Sequence, residues 1–124
     1  SDDQEDVYQS VTWLKELALH TGCIVVCSGK MDIITDGEQA VIIRNGCEMM
    51  GVVTGTGCML NVAIATFLAS FEPFEACLKA TCYYEVAAEK TKAQGPGTFH
   101  MHFMDEIYQL TEEDEAFFKT EVVR

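Results

Sequence analysis

VVTGTGCMLNVAIATFLASF, residues 52–71, decides how the rest of the chain is read. Gly55 and Gly57 free the backbone for positive φ and for close approach of a ligand. The apolar run behind them reads as a helix from Cys58 to Ser70. A helix N-terminus carries unpaired N–H groups and a partial positive charge. Behind a glycine-rich loop, such a terminus makes a site for an anion. A thiol in its first turn, here Cys58, holds its proton less tightly than a free cysteine does. The stretch therefore fits a loop that grips phosphate oxygens and offers a base or nucleophile. It equally fits a glycine-rich turn ahead of a helix with a buried, inert cysteine. The spacing is neither the GxxxxGK[ST] of a P-loop nor GxGxxG.

Outward from this stretch, 124 residues allow one ordinary domain with a single core, and a hydrophobic fraction of 48% suits a globular chain. A net charge of −12 argues against nucleic acid and anionic membranes as partners. It leaves phosphate binding open, because backbone N–H groups and metal ions can hold an anion without side-chain charge. Six cysteines are present. Cys23, Cys27, Cys77 and Cys82 fall inside apolar periodic segments, where a free thiol packs as a small hydrophobe. With no secretory signal ahead of them and no close CxxC pair, they read as reduced thiols of a cytoplasmic protein. The run after Cys58 is broken by Asn61 and Thr66 and ends near Glu72-Pro73, too interrupted for a membrane span.

The acidic start, Asp2 to Asp6, suits a helix N-terminus, and Val7, Val11, Leu14, Leu17 and Ala18 recur at helical spacing up to Thr21-Gly22. CIVVCSG, residues 23–29, reads as a short strand buried on both faces. MDIITDGEQAVIIRNG, residues 31–46, reads as a hairpin closed at Asp36-Gly37, with a further turn at Asn45-Gly46. A helix from Phe74 to about Lys92 presents Ala76, Ala80, Tyr83 and Ala87 on one face. QGPG, residues 94–97, breaks the chain before a helix over Thr98 to Leu110. Thr111 and Asp114 match a capping box, and TEVVR forms a last short strand. The order is α/β in character. A lone strand buried on both faces needs parallel neighbours, so the sheet is expected to be incomplete, finished by another chain or by a further segment.

Other residues have plainer explanations. His20, His100 and His102 do not make a metal set, since His100 and His102 diverge on a helix. Asp32 and Asp36 are accounted for by the hairpin and its turn. Met49-Met50 suits a core or an interface, and EEDE, residues 112–115, a solvated helix start.

CSGKMDIITDG, RNG, VTGTGCML and GPGTFHMHFMDEIYQL stand in an order and spacing that resembles the hydroxyethylthiazole kinases of the ribokinase-like superfamily. The resemblance covers the whole chain but only the C-terminal half of such an enzyme. It implies that residues 1–124 are the C-terminal portion of one three-layer α/β/α kinase domain with an incomplete central sheet. It implies ATP-dependent phosphorylation of the hydroxyethyl group of 4-methyl-5-(2-hydroxyethyl)thiazole, in thiamine salvage, with Mg²⁺ and ATP. Gly55, Thr56, Gly57 and Cys58 match the family's anion hole, Cys58 its catalytic residue, Gly55 a substrate contact and Ser28 an ATP contact. No metal ligand is expected in this chain, because the family's acidic residues near Mg²⁺ lie in the other half. The family is a homotrimer, so the expected partners are further copies or the N-terminal half. The alternatives are a non-catalytic fragment or truncated homologue, and a hydroxymethylpyrimidine or pyridoxal kinase of the same superfamily.

Overall fold

A computed structural model describes residues 2–124, with side chains from residue 6 onward. The acidic side chains that open the first helix thus fall outside it, Asp6 excepted. The order is α1 (Asp2–Thr21), β1 (Val25–Cys27), β2 (Asp32–Thr35), β3 (Ala40–Ile43), a short 3-10 turn (Glu48–Val52), α2 (Thr56–Leu68), α3 (Pro73–Glu89), α4 (Pro96–Gln109), a second 3-10 turn (Glu112–Phe117) and β4 (Thr120–Val123).

The four strands form one antiparallel sheet in the order β1-β2-β3-β4. Alternation along the strands divides its side chains between two faces. Ile33, Ala40 and Ile42 pack with Val7 and Val11 of α1. Ile34, Val41 and Ile43 pack with Cys77 and Cys82 of α3. Helices on both faces of a sheet make three layers, as expected. A further cluster lies among the helices, where Leu60 of α2 meets Tyr84, Ala87 and Ala88 of α3 and Phe99 and Phe103 of α4. Both phenylalanines are fully buried, and each such side chain contributes about 1.5–3 kcal/mol by leaving water. Met49 and Met50 pack against this cluster.

Local chemistry sets most boundaries. Gly22 ends α1, its N–H donating to the Ala18 carbonyl at 2.8 Å. The hairpin turn is held by Asp36, whose Oδ1 accepts from the N–H groups of Glu38 (2.9 Å) and Gln39 (3.0 Å). Pro73 and Pro96 open α3 and α4, where a missing N–H costs nothing. Thr111 and Asp114 form the capping box.

Three expectations are corrected. β1 is not buried on both faces: it is an edge strand, half-buried at Val25 and Val26 and exposed at Cys27, with one antiparallel partner among the described residues. Cys23, in the bend before β1, and Cys27, at its end, are exposed, whereas Cys77 and Cys82 are buried as expected. The apolar α2 is not a buried helix. Leu60 is its one buried residue among the described residues, while Val62 is 68% and Leu68 47% exposed. Its Leu60 stripe packs against α3 and α4, and the rest of the helix is largely open among the described residues. Among the described residues, no helix is long and apolar enough to cross a membrane.

Candidate active site

α2 begins in a left-handed residue, Gly55, at φ 94° and ψ −6°, a conformation that a side chain would strain. No side chain caps the helix at this residue. The N–H groups of Thr56, Gly57 and Cys58 therefore lack partners inside the helix and present the positive end of its dipole. A Cβ at Gly57 would meet nothing within 4 Å, so the backbone there faces open space. Two hydrogen bonds fix the turn. Thr56 Oγ1 donates to the Met50 carbonyl at 3.3 Å, and Tyr84 Oη donates to the Thr56 carbonyl at 2.5 Å. Burial pushes the Tyr84 hydroxyl pKa up, which keeps it protonated as that donor.

This terminus opens on a cleft of 580 Å³. Ser28, Gly29 and Lys30 form one wall, Thr56 and Gly57 another, and Asp32, Arg44 and Glu85 also line it. Arg44 is anchored rather than mobile. Its Nη2 reaches Glu121 Oε1 at 2.5 Å, and the Tyr8 hydroxyl donates to the other Glu121 oxygen at 2.7 Å. Behind the cleft, Asn45 ties the β3 exit to the second 3-10 turn and β4. Its Nδ2 donates to Glu89 Oε1 (2.7 Å) and the Phe117 carbonyl (2.8 Å), and its Oδ1 accepts from the Lys119 N–H (2.6 Å). Gly46 follows at φ 153°, and a Cβ there would approach Glu85 Oε2 at 3.2 Å. The positive φ favours glycine here, and a side chain would also crowd the Glu85 carboxyl.

The structure brings Ser28, Thr56 and Gly57 to a common cleft, across a separation in sequence of nearly thirty residues. Gly55 and Cys58 are not among the described residues that line it. Cys58 sits in the first turn of α2, exposed rather than buried. The cysteine is therefore not buried among the described residues.

Two cleft residues escaped the sequence reading. Asp32 is 1% exposed and Glu85 5% exposed, and their carboxyl groups lie within hydrogen-bonding reach of each other. Burial raises the pKa of both, and for Glu85 the neighbouring Asp32 and Glu89 add to the rise, to about 9. The signal was present. Asp32 shares the parity of Ile34, hence the face toward α3, and Glu85 is a lone acid in the unbroken buried run from Ala80 to Ala88. Among the described residues, no three His, Cys, Asp or Glu side chains converge to hold a metal ion.

A sheet with helices on both faces, carrying a cleft at a glycine-opened helix N-terminus, has the architecture of the ribokinase-like fold. A model of the hydroxyethylthiazole kinase family matches residues 1–113, and the chain belongs to that family. It is 39% identical over 102 residues to a hydroxyethylthiazole kinase of Methanosarcina acetivorans, covering 80% of this chain and 39% of that protein. Against the hydroxyethylthiazole kinase of Pyrococcus furiosus it is 41% identical over 117 residues, covering 89% of this chain and 44% of that one. The solved hydroxyethylthiazole kinase of Pyrococcus horikoshii superposes with a TM-score of 0.89 at 30% identity, over 98% of this chain and 50% of that structure. The chain thus spans half or less of the length of these relatives.

Proposed function

We propose that this chain supplies the phosphate-holding part of a kinase that transfers the γ-phosphoryl of ATP to the hydroxyethyl group of 4-methyl-5-(2-hydroxyethyl)thiazole. The observation that carries the proposal is the glycine-opened N-terminus of α2 facing the cleft that Ser28 also lines. Phosphoryl transfer rests mainly on positioning and on stabilising charge over the equatorial oxygens. The N–H groups at Gly55, Thr56, Gly57 and Cys58 suit that task, with Gly55 also beside the thiazole. The exposed Cys58 thiol is the base that takes the hydroxyl proton of the alcohol, late in a loose transition state. The Ser28 hydroxyl contacts ATP.

Mg²⁺ accompanies ATP in such chemistry, but this chain's own side chains do not fit a site for it. Of its two buried carboxyls, Glu85 keeps its proton up to about pH 9 and Asp32 is already tied to the Gly29 N–H, and among the described residues no three His, Cys, Asp or Glu side chains converge. Apolar side chains left exposed on α1, α2 and α4, such as Trp13, Val62 and Tyr108, support assembly into a trimer or against further kinase sequence. Six free cysteines support a cytoplasmic setting.

The test is phosphorylation of the thiazole alcohol by MgATP, using the full protein that carries this chain. Cys58→Ala is expected to lower kcat by orders of magnitude with little change in ATP affinity. Unchanged turnover refutes the base assignment. Nucleotide binding without any turnover favours the non-catalytic reading.

A further inference from the structure

Asp32 and Glu85 meet at the floor of the cleft, where three pieces of chain converge. Asp32 opens β2 and accepts from the Gly29 N–H through Oδ1 at 3.1 Å. Its other oxygen, Oδ2, is buried and receives no hydrogen bond from any N–H or hydroxyl among the described residues. Glu85 comes from the middle of α3, and Gly46 crosses close beside its Oε2. Two ionised carboxylates in contact, both out of water, would repel each other and leave lone pairs unsatisfied. Among the described residues, no third His, Cys, Asp or Glu side chain converges here to complete a metal site.

Charged and titratable groups approach the pair from several elements. On α3, Glu89 adds like charge, and the Cys82 thiol and Tyr84 hydroxyl are themselves pushed up, by burial first and then by Glu85. From the 28–30 turn comes Lys30, from the end of β3 Arg44, and from the first 3-10 turn Glu48, all lining the cleft. Of these, Arg44 is committed to Glu121.

We propose that Asp32 and Glu85 share one proton, Glu85 donating to Asp32 Oδ2, and that this bridged pair is a positioning device holding the Ser28–Lys30 turn against α3. One hydrogen satisfies the orphaned oxygen and leaves the pair a single negative charge. Asp32 then keeps the Gly29 N–H, and with it the adjoining Ser28 hydroxyl, in register with the α2 terminus. The functional side of this inference rests on the reading of Ser28 as an ATP contact.

Carbon-detected NMR on the full chain tests it, following the Glu85 carboxyl carbon and the Gly29 Cα from about pH 5 to 10. The wild type should give one shared alkaline transition, with Gly29 moving in step with Glu85. Glu85→Gln keeps a hydrogen aimed at Asp32 and should hold Gly29 flat over the same range. Asp32→Asn, whose amide can donate to Glu85, should do likewise if the Gln variant does not fold. MgATP affinity should fall with the same transition in the wild type and stay level in either amide variant. A Glu85 carboxyl that titrates in the ordinary acidic range overturns the proposal, as does a Gly29 that ignores it. If Gly29 and Glu85 titrate together but MgATP does not bind at any pH, the pair stands and the ATP reading of Ser28 fails.

Discussion

Asn45→Ala is expected to destabilise the protein by about 4 kcal/mol, from two ordinary hydrogen bonds at about 1 kcal/mol each and one to a carboxylate at about 2 kcal/mol. The side chain is 1% exposed, so water cannot replace what is lost. The ordinary bonds are those to the Phe117 carbonyl and from the Lys119 N–H, and the third runs to Glu89. Against a typical total of about 5–15 kcal/mol, such a loss is large. Urea unfolding reads it as a lowered midpoint at unchanged slope. Asn45→Asp separates the two kinds of bond. It keeps the acceptor for Lys119 but turns both donors into a carboxylate facing Glu89 and a carbonyl. The new carboxyl has its folded-state pKa raised by burial and like charge, so the native state holds its proton longer than the unfolded state. Its cost therefore grows as pH rises above the ordinary carboxylate value. A loss under about 1 kcal/mol for Asn45→Ala, or a pH-independent cost for Asn45→Asp, would refute the view that Asn45 clamps β3 to β4.

Glu85 has a folded-state pKa of about 9, above its usual 4.5, so the native state binds the extra proton between those values. Its contribution to stability falls as pH rises through that window, by at most about 1.4 kcal/mol per pH unit. Glu85→Gln should therefore gain on the wild type as pH rises from about 5 to 8 in paired thermal or urea unfolding, and parallel curves would count against the shift. Gly55→Ala forces a methyl group into a left-handed residue at φ 94°. A loss of about 1 kcal/mol and a weakened phosphate affinity are expected by calorimetry, and neither should occur if the α2 terminus is free to rearrange.

The parts of the fold legible in the sequence are those with local causes. Asp36-Gly37 announced the hairpin because an Asp side chain can close such a turn by itself, and it does. Pro96 and the Thr111–Asp114 box likewise mark boundaries through chemistry confined to a few residues. What failed depends on distant partners. The apolar composition of α2 cannot say that only its Leu60 stripe is buried among the described residues, nor can the β-branched run at β1 say that it lies at an edge. Ser28 and the α2 terminus were both picked out, but their meeting across one cleft is tertiary information. Asp32 was absorbed into the hairpin because its partner stands on α3, beyond β3, the first 3-10 turn and α2.

The contact between Asp32 and Glu85 also constrains how this sequence can drift. A pair that needs one hydrogen and one acceptor behaves as a single inherited unit. Either position can become an amide while the other stays an acid, since Asn or Gln brings the hydrogen permanently. An apolar residue at one position alone strands the other, whereas replacing both at once removes the need. Substitutions here should thus be strongly epistatic, with double changes milder than the sum of single ones. A double-mutant cycle on Asp32→Ala and Glu85→Ala measures that coupling directly.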